Sequence, residues 1–189
     1  MLPLSSFEAG LDVIRQSPKD GGVLELIVKR PQVNAREALE IGTLDVAHGL
    51  TGDSWNQRGG SRSRVGDPHP DMQLNIMNAR VIALVAGSRD RWALAGDQLY
   101  IDLDLSADNL PAGTRLSIGS AIVEVTAVPH TGCGKFAARF GVDAVKFVNS
   151  PVGRQLNLRG INAKVIQPGT IRVGDVARKV PAAAVASSP

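Results

Sequence analysis

The 189-residue chain holds one cysteine, Cys133. That excludes an intramolecular disulfide and a structural zinc site built on two or more thiolates. Aromatic residues make up only 4% of the chain, so the core has to be aliphatic, and a stacking platform for single-stranded nucleic acid is excluded. Charge of one sign is scarce as well: 21 Lys and Arg against 18 Asp and Glu leave +3. Such a surplus suits an anionic ligand and does not call for nucleic acid. No apolar run approaches the roughly 20 residues that cross a bilayer. Met1 to Ser6 has no basic segment leading into a long apolar stretch, so no signal peptide is expected. These absences predict a soluble, cytoplasmic protein in a reducing compartment. There is no P-loop, no GxGxxG after a strand and no serine-centred nucleophile elbow, which removes the common nucleotide-binding and hydrolase readings.

The pattern along the chain predicts many short strands. Ser5 and Glu8 have capping-box spacing, and Phe7, Leu11 and Ile14 follow at helical spacing, so a helix is expected over 6–16. Leu24, Leu26 and Val28 alternate with Glu25, Ile27 and Lys29 as a strand with one wet face. Asn34 caps a second expected helix over 34–40. Leu74 and Ile76 suggest a strand, and Asn78 caps a helix over 79–86 that Gly87 ends. Residues 98–106 alternate, with Leu99, Ile101, Leu103 and Leu105 on one face and Tyr100, Asp102 and Asp104 on the other. Residues 115–118 and 121–128 read as a hairpin around Gly119-Ser120. Helical pieces follow at Phe136–Phe140 and 142–148, then strands near Ile161–Val165, Ile171–Val173 and Val176. Seven or eight strands with short helices and tight turns point to a mainly β (α+β) fold, a closed or nearly closed β-barrel decorated with helices. Between Gly52 and Pro70 lies a long polar loop with Arg58, Arg62 and Arg64. It is either a mobile surface loop or, over 56–70, a lid carrying cations for an anionic ligand. The tail, 181–189, is expected to be disordered.

The densest chemistry lies in Pro129 to Arg139, PHTGCGKFAAR. A strand ends, Gly132 and Gly134 bracket Cys133, and a helix begins. Glycines let backbone approach a ligand closely, and a thiol at a helix start is favoured as the nucleophilic, metal-ligating thiolate. His130, Lys135 and Arg139 add cations if they point the same way. This suits a nucleophile, a persulfide carrier or a soft metal ligand. The alternative is a small buried hydrophobe. His130 is either a ligand or proton donor or a strand-end residue bonded to backbone. His48 and His69 stand alone and read as surface residues. Asp102 and Asp104 share a strand face, either as paired carboxylates for acid–base work or as a solvated face. Arg154 and Arg159 in GRQLNLRG suit a phosphate or carboxylate, or plain surface charge.

The stretches GLTGDSW (49–55), AGDQLYIDLDLSADNLPAGTRLSIG (95–119), EVTAVPHTGCGKFAARFG (124–141) and LRGINAKVIQPGTIRVGD (158–175) together resemble the MOSC domain, the molybdenum-cofactor sulfurase C-terminal domain, in its small stand-alone bacterial form. The resemblance implies one domain over 1–180, with a family-like core at about 48–180 and residues 1–47 packed on it. It implies a barrel of the pyruvate-kinase-barrel type. It also implies one essential cysteine, matching Cys133, that either ligates molybdenum of a pterin cofactor in enzymes reducing N-hydroxylated compounds or carries sulfur as a persulfide. A non-enzymatic cofactor-binding module is the third reading. Asp53, Arg139, Arg159 and Gly160 fall on recurrent family positions and join His130 and Lys135 as candidates for the cofactor pocket. The chain has no second N-terminal barrel, no pyridoxal-phosphate lyase domain and no ferredoxin-like cysteine cluster. Its expected partners are therefore a separate electron-transfer protein or cysteine desulfurase and a small-molecule substrate, with neither nucleic acid nor membrane.

Overall fold

The computed structural model describes residues 2–57 and 68–181. The arginines of the expected lid, Arg58, Arg62 and Arg64, and residues 182–189 of the expected tail lie outside the described residues.

In chain order the elements are α1 (Leu4–Ala9), α2 (Leu11–Arg15), β1 (Gly22–Lys29), β2 (Glu37–Leu39), β3 (Ile41–Asp45), β4 (Gly49–Leu50), β5 (Leu74–Asn78), α3 (Ala79–Ala86), β6 (Leu99–Asp102), β7 (Arg115–Ile118) and β8 (Ala121–Pro129). They continue with α4 (Gly134–Phe140), α5 (Val142–Asn149), α6 (Pro151–Gln155), β9 (Ile161–Gln167), β10 (Gly169–Arg172) and β11 (Val176–Val180). Strands β1, β6, β5, β9, β8, β7 and β11 form a ring that β11 closes back onto β1, with β2 attached outside it. Within the ring only β5 and β6 run parallel. A small sheet, β10-β3-β4, sends Leu44, Leu50 and Ile171 into the barrel core. The expected closed barrel is present, with more and shorter strands than the sequence suggested. No helix among the described residues is long and apolar enough to cross a membrane.

Two cores explain the composition. The barrel interior is aliphatic, built on Leu24, Ile27, Leu99, Ile101, Val123 and Val165. The second lies between the barrel wall and the helices and gathers most of the few aromatics, with Phe7, Phe136, Phe140, Phe147 and Tyr100 all buried. Each such side chain contributes roughly 1.5–3 kcal/mol by leaving water. β6 serves both: Leu99 and Ile101 enter the barrel, while Tyr100 points out beneath the helices and donates to the Trp92 carbonyl at 2.9 Å. Its second face is thus covered at Tyr100, while Asp102 on the same face stays partly exposed.

Other expectations need correction. The helix over 6–16 breaks at Gly10, where a Cβ would sit 2.5 Å from Leu84 Cδ2. Pro3, not Ser5, is the residue before α1, and no side chain caps it. The helix over 34–40 is absent: Asn34 has φ 66° and residues 37–39 pair with β1 instead. β1 carries a register shift between Leu24 and Leu26, a bulge that turns Ile27 inward and spoils the one-wet-face reading. Asp102 and Asp104 do not work as a pair. Asp102 is bound to Arg80 at 2.7 Å, and Asp104 accepts from the Ser106 amide. After Pro151 the chain forms α6, with Pro at its first turn and Ser150 accepting from Gly153 N–H. By contrast α3 begins and ends as read, Asn78 accepting from the amides of Arg80 and Val81.

Candidate functional site

β8 ends at Pro129, and the loop 130–133 leads into α4. Asn149, at the end of α5, holds this loop through a reciprocal pair: the Gly132 N–H donates to its Oδ1 at 2.9 Å, and its Nδ2 donates to the Gly132 carbonyl at 3.0 Å. The chain's only thiol, Cys133, sits just before α4 in extended backbone, exposed, with no side-chain capping bond. Its exposure removes the buried-hydrophobe alternative. The two flanking glycines differ in origin. A Cβ on Gly132 would meet Val148 at 3.0 Å, so that glycine serves the protein's own packing. At Gly134 a Cβ would meet nothing within 4 Å, so the space beside the thiol is open.

Beneath the loop lies a buried polar network. Asp97, fully buried, accepts from Arg159 Nη1 at 2.9 and 2.7 Å, and Arg159 Nη2 donates to the Ala95 carbonyl. The Arg159 guanidinium lies 4.8 Å from the ring centroid of Phe136 on α4, so it supports the helix that begins at the cysteine. Arg30 forks onto Asp53 at 2.8 and 2.9 Å and reaches Asn75 and the Gly96 carbonyl. Asn75 donates to Asn162, and Asn162 donates to the Val128 carbonyl. The network thus ties β1, β5, β8 and β9 to the turn before β6. Burial pushes the Asp97 carboxyl up, opposed by Arg159 and Arg30.

His130 bridges this network and the surface. Its Nδ1 is buried without a hydrogen-bond partner, 3.5 Å from Asp97 Oδ1. Burial, then the charges of Arg159 and Arg30, hold its pKa well below the usual value. Neutral histidine is therefore the folded form at neutral pH. Unfolded histidine titrates near about 6.5. Between that value and the lower folded one the unfolded chain binds more protons, so this contribution to stability is intact above it and lost as pH falls. Urea midpoints at neutral and mildly acidic pH are expected to fall further in the wild type than in His130→Gln; equal falls would contradict this.

Gly160 adopts φ +109°, and a Cβ there would sit 2.3 Å from the Ile76 carbonyl and 3.3 Å from His130 Nδ1. Gly160→Ala is expected to cost at least about 1–3 kcal/mol from the strained backbone alone. A thermal midpoint equal to that of the wild type would contradict it.

The structure brings His130, Arg159 and Gly160 together around Asp97. Asp53 joins them through Arg30, as a buried structural partner with its carboxylate already engaged. Lys135 is exposed on α4 near the thiol. Arg139 lies at the other end of α4, about 9 Å of helix rise from Cys133. Its Nη1 donates to the Leu94 carbonyl at 2.6 Å, so it does not flank the thiol. Both it and Arg36 border Gly96, where an added Cβ would lie 3.6 Å from Arg139 Nη1 and 3.2 Å from Arg36 Nη2. Sequence reading missed Arg30, Arg36, Asn75, Asp97, Asn149 and Asn162. Of these, Asp97 and Asn162 lie within the family-like stretches 95–119 and 158–175, which is the signal that pointed to them.

A family model described as the MOSC domain matches residues 70–178. Solved structures share the fold at low identity. The YUAD protein from Bacillus subtilis is 19% identical, covering 82% of this chain and 93% of that one, with a TM-score of 0.56. YiiM from Escherichia coli is 17% identical, covering 84% of this chain and 70% of that one, with a TM-score of 0.54. A structure described as a hypothetical protein is 18% identical, covering 89% of this chain and 71% of that one, with a TM-score of 0.57. Among curated proteins none matches the chain.

Proposed function

Because the chain belongs to the MOSC domain family, we propose that it binds a molybdenum–pterin cofactor, with Cys133 as the protein ligand to the metal, and reduces N-hydroxylated compounds. The observation that carries this reading is the exposed single thiol beside open space at Gly134. The residues present fit the group. Among the described residues no cluster of three or more His, Cys, Asp or Glu could hold a metal ion. One soft thiolate therefore suits a metal that arrives with its other ligands on a cofactor.

When bound, the cofactor supplies the two-electron chemistry. The chain's own residues position and hold charge. Asn149 fixes the loop, and Asp97 and Arg159 fix α4 through Phe136, so the thiol is presented in one place. Arg36 and Arg139 converge near Gly96 and suit a phosphate group, with Lys135 as a further cation nearer the thiol. Reduction of an N-hydroxyl group breaks the N–O bond and consumes two electrons and two protons, releasing water. The electrons come from a separate donor protein.

The test is protein made in a host that synthesises the cofactor, supplied with a chemical reductant and an N-hydroxylated amidine. Bound molybdenum with amidine formation is expected. Bound molybdenum with no turnover would overturn the oxidoreductase reading. The thiol's exposure also favours a second reading, a sulfur carrier, because a desulfurase can reach it. That reading requires one added sulfur atom on Cys133, seen by intact mass after incubation with a desulfurase and cysteine.

A further inference from the structure

A cleft of about 680 Å³ opens where the end of β8, α5, α6 and the loop 107–112 meet. Its walls are largely apolar, with Leu110, Val125, Val128, Val148 and Ile161 among them. No Asp or Glu among the described residues lines it. Its one full charge is Arg154 on α6, an exposed residue whose guanidinium has no hydrogen bond or ion pair among the described residues. α6 is held tightly there, since a Cβ on Gly153 would lie 2.4 Å from the Phe147 carbonyl. The arginine is therefore mounted on a fixed element.

His130 is the second polar group of interest in the same cleft. Its Nδ1 is the buried nitrogen, turned toward Asp97. Nε2 is the accessible one and has no partner among the described residues. With Nδ1 facing a carboxylate, the proton of the neutral ring belongs on Nδ1, and Nε2 presents a lone pair. The cleft thus offers one guanidinium fork, one neutral acceptor and an apolar body, within the volume typical of small-molecule sites.

We propose that this cleft binds a small organic carboxylate with an apolar body and a hydroxyl or N–H group. The carboxylate takes the fork of Arg154, which matches its planar pair of oxygens. The hydroxyl or N–H donates to His130 Nε2, and the body lies against the aliphatic walls. A single cation, with no second positive residue among the described residues that line the cleft, suits a monoanion, not a diphosphate. This site goes beyond the cofactor assignment: it shares His130 with the cofactor candidates, but neither Cys133 nor metal takes part in it.

The probe is 4-hydroxybenzoate, titrated into the full chain made in a host unable to synthesise the cofactor. Backbone amide shifts and calorimetry read the binding. Saturable binding is expected, with shifts at residues 125–131. Affinity should fall at least tenfold in Arg154→Gln and at least tenfold for the neutral analogue 4-hydroxybenzamide. Ala127→Trp, which fills the cleft from an exposed wall position, should remove the saturable shifts. Wild-type protein that fails to saturate, or Arg154→Gln with unchanged affinity, would overturn the proposal. Because no molybdenum is present, neither result bears on the cofactor reading.

Discussion

Cys133→Ala is expected to abolish reduction of N-hydroxylated compounds while leaving the fold intact. The thiol is exposed and makes no capping bond, so its removal falls among surface substitutions, within about 0.5 kcal/mol of neutral. Its role as metal ligand is a different matter. Even the groups that orient a metal ligand typically cost about 10–100-fold when lost, and loss of the ligand itself should cost at least the upper end of that range. The pairing of measurements is what tests the idea: turnover under chemical reductant, and a urea midpoint at the same pH. Turnover within a few-fold of the wild type would remove Cys133 from the site. A large loss of stability would mean that the residue acts through packing instead.

Asp97→Ala is expected to be the most destabilising single change in the network. Asp97 is fully buried and Arg159 nearly so, at 0% and 6% exposed. Removing the carboxylate leaves a buried guanidinium with no counter-charge, at a cost of about 3–5 kcal/mol. For a chain of this size that lowers the thermal midpoint by roughly 10 °C. The double change Asp97→Leu with Arg159→Met removes both charges and should lose much less, because the penalty comes from the orphaned charge. If the double variant were no more stable than Asp97→Ala, the loss would come from geometry, such as the Ala95 and Phe136 contacts of Arg159, and not from the unpaired charge.

What could be read in the sequence was local chemistry. The hairpin around Gly119-Ser120 and the start and stop of α3 depend on neighbours within a few residues, and they appear where expected. Cys133 was legible because it is the only cysteine and is bracketed by glycines. Pairings that close the barrel were not legible. Gly22 meets Ala177, and Glu37 is drawn into a strand by β1, so residues 34–40 lose the helix their sequence suggested. Alternation places Tyr100 opposite Leu99 and Ile101 but cannot tell that helices cover the outside of the barrel there. The site behaved likewise. Arg30 and Asp53 are 23 positions apart and Asp97 and Arg159 are 62 apart, and nothing in either segment announces its partner. Arg159 and Asp53, candidates for the cofactor pocket on the family resemblance, are both committed to buried pairs.

The claim most in need of direct proof is that the Cys133 sulfur binds molybdenum. X-ray absorption at the molybdenum edge, on wild-type protein and on Cys133→Ser made in the same cofactor-producing host, reads the atoms around the metal. One fewer sulfur neighbour in the serine variant is the predicted result. Identical sulfur shells in the two proteins would contradict it.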